Sequence, residues 1–333
     1  MFRIFSLRSG RSTALSAAAL FAGLAFGVEG IAAQELRGWN THTPDYPGSV
    51  AMDNFGEIVA KRTEGRLTPE TFHSAQLGEQ DFAIEQMQFG GIDFAVFNLT
   101  PLNNIVSATQ ATTLPYAFRS VDHMHAVMDG EIGAEIGAAL EEANMVALAW
   151  YDSGARSFYA NRPLNTVEGL QGLKVRVQNS DVNVAMVEAL GGNATPIPFG
   201  EVYTSLQSGV VDAAENNWPS YESTNHYEVA PHIILDEHAI VPEVFAVAKT
   251  TWDELSPEDQ EIVRQAALES AAMQRELWAE REKESEAKVR EAGVTVVELE
   301  DKTPFIEAMA PVYEQFATDP VVRDLLDRIQ ATQ

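Results

Sequence analysis

The sequence predicts an α/β protein of two domains, built on mixed sheets, interwoven by chain crossings and bridged by one long helix. Three observations carry this. Gly172 to Glu222 reads strand, helix, strand, helix, strand, the order of a mostly parallel sheet. A chain of 333 residues exceeds one ordinary domain and suits two, each with its own core. After Ser256 a helical stretch of about 35 residues would reach roughly 50 Å, far enough to lie across both domains.

The N-terminus reads as an export signal rather than part of the fold. Arg3, Arg8 and Arg11 form a basic segment, Ala14 to Phe26 is apolar, and Gly30 to Ala33 offers small residues for cleavage. The apolar run is shorter than the roughly 20 residues that span a bilayer. The expected division is therefore 1–33 signal peptide, 34–155 plus 247–285 domain I, and 156–246 plus 286–333 domain II. Lys and Arg total 22 against 49 Asp and Glu, a net charge of −27. Such a chain cannot neutralise phosphates, so nucleic acid is not an expected partner. With no cysteine, disulfides and thiolate metal ligands are both absent.

In chain order, Leu36 to Thr41 reads as a first strand. The loop from His42 to Gly48, with two prolines, follows it and is placed to line a cleft. Ser49 to Glu64 is helical, with Ala51, Phe55, Ile58, Val59 and Arg62 on one side. Arg66 to His73 is a strand that Pro69 confines to a sheet edge. Glu79 to Phe89 is a second helix. In Ile92 to Phe97 alternate apolar residues predict a half-buried strand, and Asn98 at its end is a candidate ligand contact. Asn103 and Asn104 fit turn formers equally well. Ser120 to Ala143 is helical, interrupted by glycines. Met145 to Tyr151 is a strand that runs on through Gly154 into a second, the pattern of a crossing between domains. Arg156 would lie at that crossing; a buried arginine needs a carboxylate, from the protein or from a ligand. Ile233 to Glu237 and Val244 to Lys249 read as strands, the second a return crossing. Ser256 caps the long helix, with Pro257 first and acids behind it. Its expected buried side is Ile262, Ala266, Met273, Leu277 and Trp278.

The central stretch carries the anion-binding pattern. In Leu173 to Gln178 apolar residues alternate with Lys174, Arg176 and Gln178, so Arg176 faces away from the core near the strand's carboxyl end, where α/β sheets hold ligands. Ser180 to Leu190 is a helix. Ala194 to Pro198 is a strand, Phe199 to Ser208 a helix, and Val210 to Ala214 a third strand running into Glu215, Asn216 and Asn217. Phe199, after Pro198 at a strand-to-helix turn, is the aromatic placed for a ligand.

Catalytic patterns are missing. His123 and His125 fall on different sides of a helix with no carboxylate partner motif, and there is no nucleophile elbow. Glu215 is a lone carboxylate, for which a structural role is the ordinary one. His42 and His238 lie in loops near strand ends, where a ligand hydrogen bond is the alternative to a structural role.

The run from Leu173 to Asn216, with KVRVQ, ATPIPFGEVY and SLQSGVVDAAEN, resembles the signature region of DctP-type solute-binding proteins of tripartite ATP-independent periplasmic (TRAP) transporters. The resemblance extends over nearly the whole mature chain. It implies a two-domain periplasmic binding protein fold with hinge crossings and a domain-spanning helix, closing on a small organic acid. It also implies a monomer in the periplasm, without cofactor or metal, that delivers its ligand to TRAP membrane subunits. Arg176 would pair with the substrate carboxylate, and Arg156, Asn216 and Phe199 would join it; Ala214 replaces the family's usual glutamine. Asn98, Glu79, His42 and Gln178 would complete the substrate site across a cleft. The segments DSGARSFY and AENNWPSYEST resemble a subgroup taking sugar acids such as D-glucuronate and D-galacturonate. The alternatives are a C4-dicarboxylate or other organic acid, for which a second far-end cation is not evident, and an exported sugar-acid lyase or epimerase, which lacks a positioned base. Presentation of the ligand to a chemoreceptor is compatible with either binding reading.

Overall fold

The computed structural model describes residues 33–333, so the expected signal peptide lies outside the described residues. Eleven strands follow one another: β1 (Gln34–Trp39), β2 (Leu67–Phe72), β3 (Phe94–Asn98), β4 (Met145–Tyr151), β5 (Ala155–Ala160), β6 (Lys174–Val177), β7 (Asn193–Pro196), β8 (Ala213–Asn216), β9 (His232–Ile240), β10 (Glu243–Ala248) and β11 (Thr295–Glu298). They form two sheets, ordered β2-β1-β3-β10-β4 and β11-β9-β5-β8-β6-β7. Both are mixed. In the first, β1 to β3 are parallel and β10 runs against β3 and β4. In the second, β6 is parallel to β7 and β8, while β5 runs against β8 and β9.

The chain passes between sheets three times: at the short links from β4 to β5 and from β9 to β10, and through the long helix that joins β10 to β11. Gly154 in the first link has φ +60°, and a Cβ there would lie 2.5 Å from Glu282 Oε1 and 3.0 Å from Trp278 Nε1. Both the backbone conformation and the close approach require glycine.

Pro69 does place β2 at a sheet edge. β3 departs from the half-buried expectation: all five of its residues are buried, because it is an interior strand covered on both faces. The stretch from Ser120 to Ala143 is two helices, Val121–Met128 and Glu131–Glu142, separated at Asp129 and Gly130. The third strand of the central unit begins later than predicted, at Ala213, because Gly209 to Asp212 form the turn that enters it.

The long helix spans Pro257–Glu291, capped by Ser256, whose hydroxyl accepts from Asp259 N. Its buried stripe differs from the one expected. Val263, Ala266, Ala267, Ser270, Ala271, Gln274 and Trp278 are buried, whereas Ile262, Met273 and Leu277 are half-buried. Small side chains let the helix lie close against the first sheet, where the Tyr151 and Ser270 hydroxyls meet at 2.7 Å. Gln274 then grips the first link, accepting from Asp152 N and donating to Asp152 O, each at 2.9 Å. Farther along, Arg281 and Lys288 pair with Glu222 on the helix Trp218–Ser223, so the same helix is fixed to both halves. No helix of the described residues is long and apolar enough to cross a membrane.

Candidate functional site

A cavity of about 340 Å³ lies between the two sheets, and all eight site residues read from the sequence line it. That volume suits one small ligand. Each half contributes through strand ends and the loops that follow them, so the wall is assembled from segments more than 100 residues apart.

β6 presents Arg176, which is 2% exposed. Its Nε donates to Ile197 O at 2.8 Å, which fixes the side chain, and it forms none of the ion pairs found among the described residues. Burial holds its pKa below the usual arginine value, against the favourable field of Glu215. A guanidinium with two free amino groups thus faces the cavity, desolvated and without a counterion.

Arg156 is committed differently. From β5 its Nε donates to Glu215 Oε2 at 2.5 Å and its Nη2 to Glu215 Oε1 at 2.9 Å. Nη1 donates to Asn216 Oδ1 at 2.8 Å. Of the two partners the sequence left open for Arg156, the structure supplies the protein's own carboxylate, so only Arg176 remains unpaired. Burial pushes the Glu215 carboxyl up, but Arg156 and His238 overcome it and hold the pKa at about 2. Behind this pair, His238 Nδ1 bonds Asp236 Oδ2 at 2.8 Å, and its Nε2 faces Glu215 Oε2 at 3.4 Å. Burial would lower the His238 pKa; Asp236 and Glu215 raise it to about 9, so the ring is charged at neutral pH. His238 stacks on Phe158 and does not line the cavity, which corrects its candidacy as a ligand contact.

The network also orients Asn216. Its Oδ1 accepts from both Arg156 and the backbone of Asn217. The amide nitrogen is therefore the atom left free to donate. Asn217, which the sequence marked only as part of an asparagine run, caps the helix Trp218–Ser223 and donates to Ser153 O at 2.8 Å. It ties the site to the first link.

On the other wall, the Asn98 side chain accepts from Thr100 N, and its carbonyl accepts from Gln80 Nε2. Glu243, the first residue of β10, is paired with Asn98 in the sheet and lines the cavity; sequence reasoning missed it. An acid opening the otherwise apolar run Glu243–Ala248 was the available signal. Burial pushes its carboxyl up to about 7, against the Asn98 amide and Arg156. Glu79 is half-buried and faces Gly200 across the opening, where a Cβ would come within 2.6 Å of its Oε1. Gln178 Oε1 is buried without a hydrogen-bond partner.

Phe199 meets His42 edge-on at 5.4 Å, and His42 stacks on Tyr46 at 3.7 Å. Burial, with help from Arg156, drops the His42 pKa to about 3, so the ring is neutral and offers one donor and one acceptor. The halves touch across the cleft through Tyr46 and Ser220 hydroxyls at 3.0 Å, Asn103 to Ser180 at 2.8 Å and Asn179 to Asp81 at 3.0 Å. Asn103 is thus a closure contact rather than part of the wall. His123 bonds Ile329 O and His125 bonds Asp152, both structural roles.

The wall therefore offers one unpaired cation, several amides, a neutral imidazole, three carboxyls (Glu79, Asp81 and Glu243) and one aromatic face. A family model described as bacterial extracellular solute-binding protein, family 7 (DctP), matches residues 40–319. A solute-binding protein of Chromohalobacter salexigens is 48% identical over 303 residues, 90% of each chain. The 2,3-diketo-L-gulonate-binding periplasmic protein of Escherichia coli K12 is 33% identical over 321 residues, 95% of this chain and 98% of the relative. Among solved structures, a TRAP periplasmic solute-binding protein from Sulfitobacter sp. NAS-14.1 with bound β-D-galacturonate superposes with a TM-score of 0.88. It is 49% identical, and the match covers 90% of this chain and 100% of that one. One from C. salexigens with bound D-glucuronate gives 0.88 at 48% identity, with the same coverage.

Proposed function

The chain belongs to the bacterial extracellular solute-binding protein family 7, and from that premise we propose that it captures a hexuronate, D-glucuronate or D-galacturonate, and delivers it to TRAP membrane subunits. The observation that carries this reading is the unpaired guanidinium of Arg176, buried at the wall of a cavity whose other polar groups suit hydroxyl partners. In this reading the ligand carboxylate completes Arg176 through two parallel charge-assisted hydrogen bonds. Asn98, Asn216, Gln178, His42 and Glu79 take up hydroxyls, and Phe199 covers the apolar face of the ring. Arg156 acts indirectly: paired with Glu215, it holds Asn216 as a donor.

Binding couples to closure because the wall is divided between the halves. A ligand touching both favours the closed form, and excluded water strengthens the ion pair to Arg176. We place the hinges at Ser153–Gly154 and Val241–Pro242, which shifts the expected lobe boundaries from 155 and 246 to these links, because Ala155 already pairs in the second sheet and Glu243–Ala248 pairs throughout in the first. The protein acts as a monomer in the periplasm after loss of residues 1–33.

The site's charges favour a sugar acid over a C4-dicarboxylate. A second carboxylate would meet no second free cation, since Arg156 is already neutralised by Glu215. The deciding experiment is a thermal-shift screen of hexuronates, hexoses, C4-dicarboxylates and hexarates. At 100 times Kd a ligand bound only by the folded state adds about 2.7 kcal/mol. Hexuronates should give the largest shift and neutral hexoses none; a larger shift with succinate or malate would select the dicarboxylate reading. Multiple-turnover conversion of a uronate would instead select the lyase or epimerase.

A further inference from the structure

The cavity holds a second charged group without a counterion. Glu243 is 8% exposed, lines the cavity, and takes part in none of the ion pairs among the described residues. It stands on β10 in the first sheet, whereas Arg176 stands on β6 in the second. Glu79, half-buried, and Asp81, exposed, also line the cavity outside the ion pairs; Glu243 is the buried acid among the three, and it and Arg176 belong to opposite walls. Arg156 lies between them electrically, acting on both, but its charge is consumed by Glu215.

A buried carboxyl is costly unless something satisfies it. Among the neighbours from each adjoining element, the Asn98 amide on β3 donates to Glu243, whereas Asp152 in the first link, the Tyr151 phenol on β4, the Tyr46 phenol and the already paired Arg156 supply no countercharge of their own. A carboxylate accepts several hydrogen bonds, and the acceptor sites that Asn98 leaves over face the cavity, where they suit donors. Sugar hydroxyls are donors; a second carboxylate is not, and placed there it would add a like charge to a desolvated wall.

We propose that Glu243 is the selectivity residue of this site: it accepts hydrogen bonds from hydroxyls at the ligand end remote from Arg176, and it rejects acids carrying a second carboxylate there. The proposal rests on the hexuronate reading and deepens it. Selectivity between partners is often set by such a repulsive element, in addition to attractive contacts. Here the discriminated pair would be a hexuronate, whose far carbon is the neutral hemiacetal that closes the ring, and the matching hexarate, an open-chain acid with a second carboxylate at that carbon; the change of their ratio on removing the Glu243 charge, rather than the ratio alone, isolates the repulsion.

The test is calorimetric titration of D-glucuronate and D-glucarate at pH 8.5, where Glu243 is ionised, into the wild type, Glu243→Gln and Glu243→Asp. The wild type should favour glucuronate by roughly 100-fold, the scale on which a like-charge contact discriminates. Glu243→Gln keeps the shape and hydrogen-bonding capacity but removes the charge, so the ratio should fall by about 10-fold or more, mainly through tighter glucarate binding. Glu243→Asp keeps the charge and should keep the ratio, which guards against a Gln variant that fails to fold. Because both acids are titrated into the same sample, a merely structural loss weakens both and leaves the ratio unchanged; that result overturns the proposal. So does a wild type that binds the two acids equally. A wild type that binds neither acid overturns the hexuronate reading itself, and this proposal with it.

Discussion

Arg156 and Glu215, on adjacent strands of the second sheet, face each other in a two-pronged pair, Nε to Oε2 at 2.5 Å and Nη2 to Oε1 at 2.9 Å, with both residues buried. The pair decides which of the two buried arginines is available. It neutralises Arg156 inside the protein and leaves Arg176, held only by Ile197 O, as the buried arginine without a counterion.

Arg176→Ala should abolish the hexuronate thermal shift, and Arg176→Lys should weaken binding by about 2–4 kcal/mol, because lysine cannot reproduce the bidentate geometry. Isothermal titration of each variant checks this. A wild-type Kd in Arg176→Ala would falsify the role given to the residue.

Removing the same arginine should not harm the ligand-free protein. A buried cation without a counterion costs stability, so Arg176→Met should raise the apo midpoint in urea. Arg156→Met should do the reverse, leaving buried Glu215 with only the more distant His238 at 3.4 Å as a countercharge, at a cost of about 3 kcal/mol. Equal destabilisation by the two changes would contradict the division of roles.

Gly154→Ala should lower stability by about 1–3 kcal/mol, because φ is +60° and the new methyl would press on Glu282 and Trp278. The strain falls on a crossing between the lobes, so uronate binding should weaken as well. Small-angle scattering with and without glucuronate should then show a smaller contraction than in the wild type.

Glu243 gives a pH signature in the ligand-free protein. Its folded pKa, about 7, lies above the ordinary carboxyl value of 4.5. The protonated form is favoured on folding, so the contribution is fully present below about pH 4.5 and is lost as pH rises through about 7. Glu243→Gln escapes that loss. The difference in unfolding free energy, variant minus wild type, should therefore grow between pH 5 and pH 8 by on the order of 1–3 kcal/mol. A flat difference across this window would show that the carboxyl titrates normally.

The acidic excess predicts a salt response. With a net charge of −27, self-repulsion opposes the compact state and is screened by added salt. The melting temperature should rise between low and marine sodium chloride; a constant or falling value would show that the charges are too dispersed to matter.

Much of this protein was legible in its sequence because the relevant signals are local. Alternation about Arg176, the edge position forced by Pro69, the Ser256 cap and the glycine at residue 154 each follow from a few neighbouring residues, and each appears in the fold. All eight site residues read from the chain line one cavity for the same reason: strand ends and the loops after them are where side chains leave the core. What the sequence could not determine was partnership. Whether Arg156 meets a ligand or Glu215 depends on how β5 and β8 are registered, and whether β3 is covered on one face or two depends on β10, some 145 residues away. Glu243 looked like an ordinary strand-opening acid until β10 was set beside Asn98. Charge pairing and burial are properties of residues brought together by long-range strand pairing, and that geometry exists only once the chain has folded.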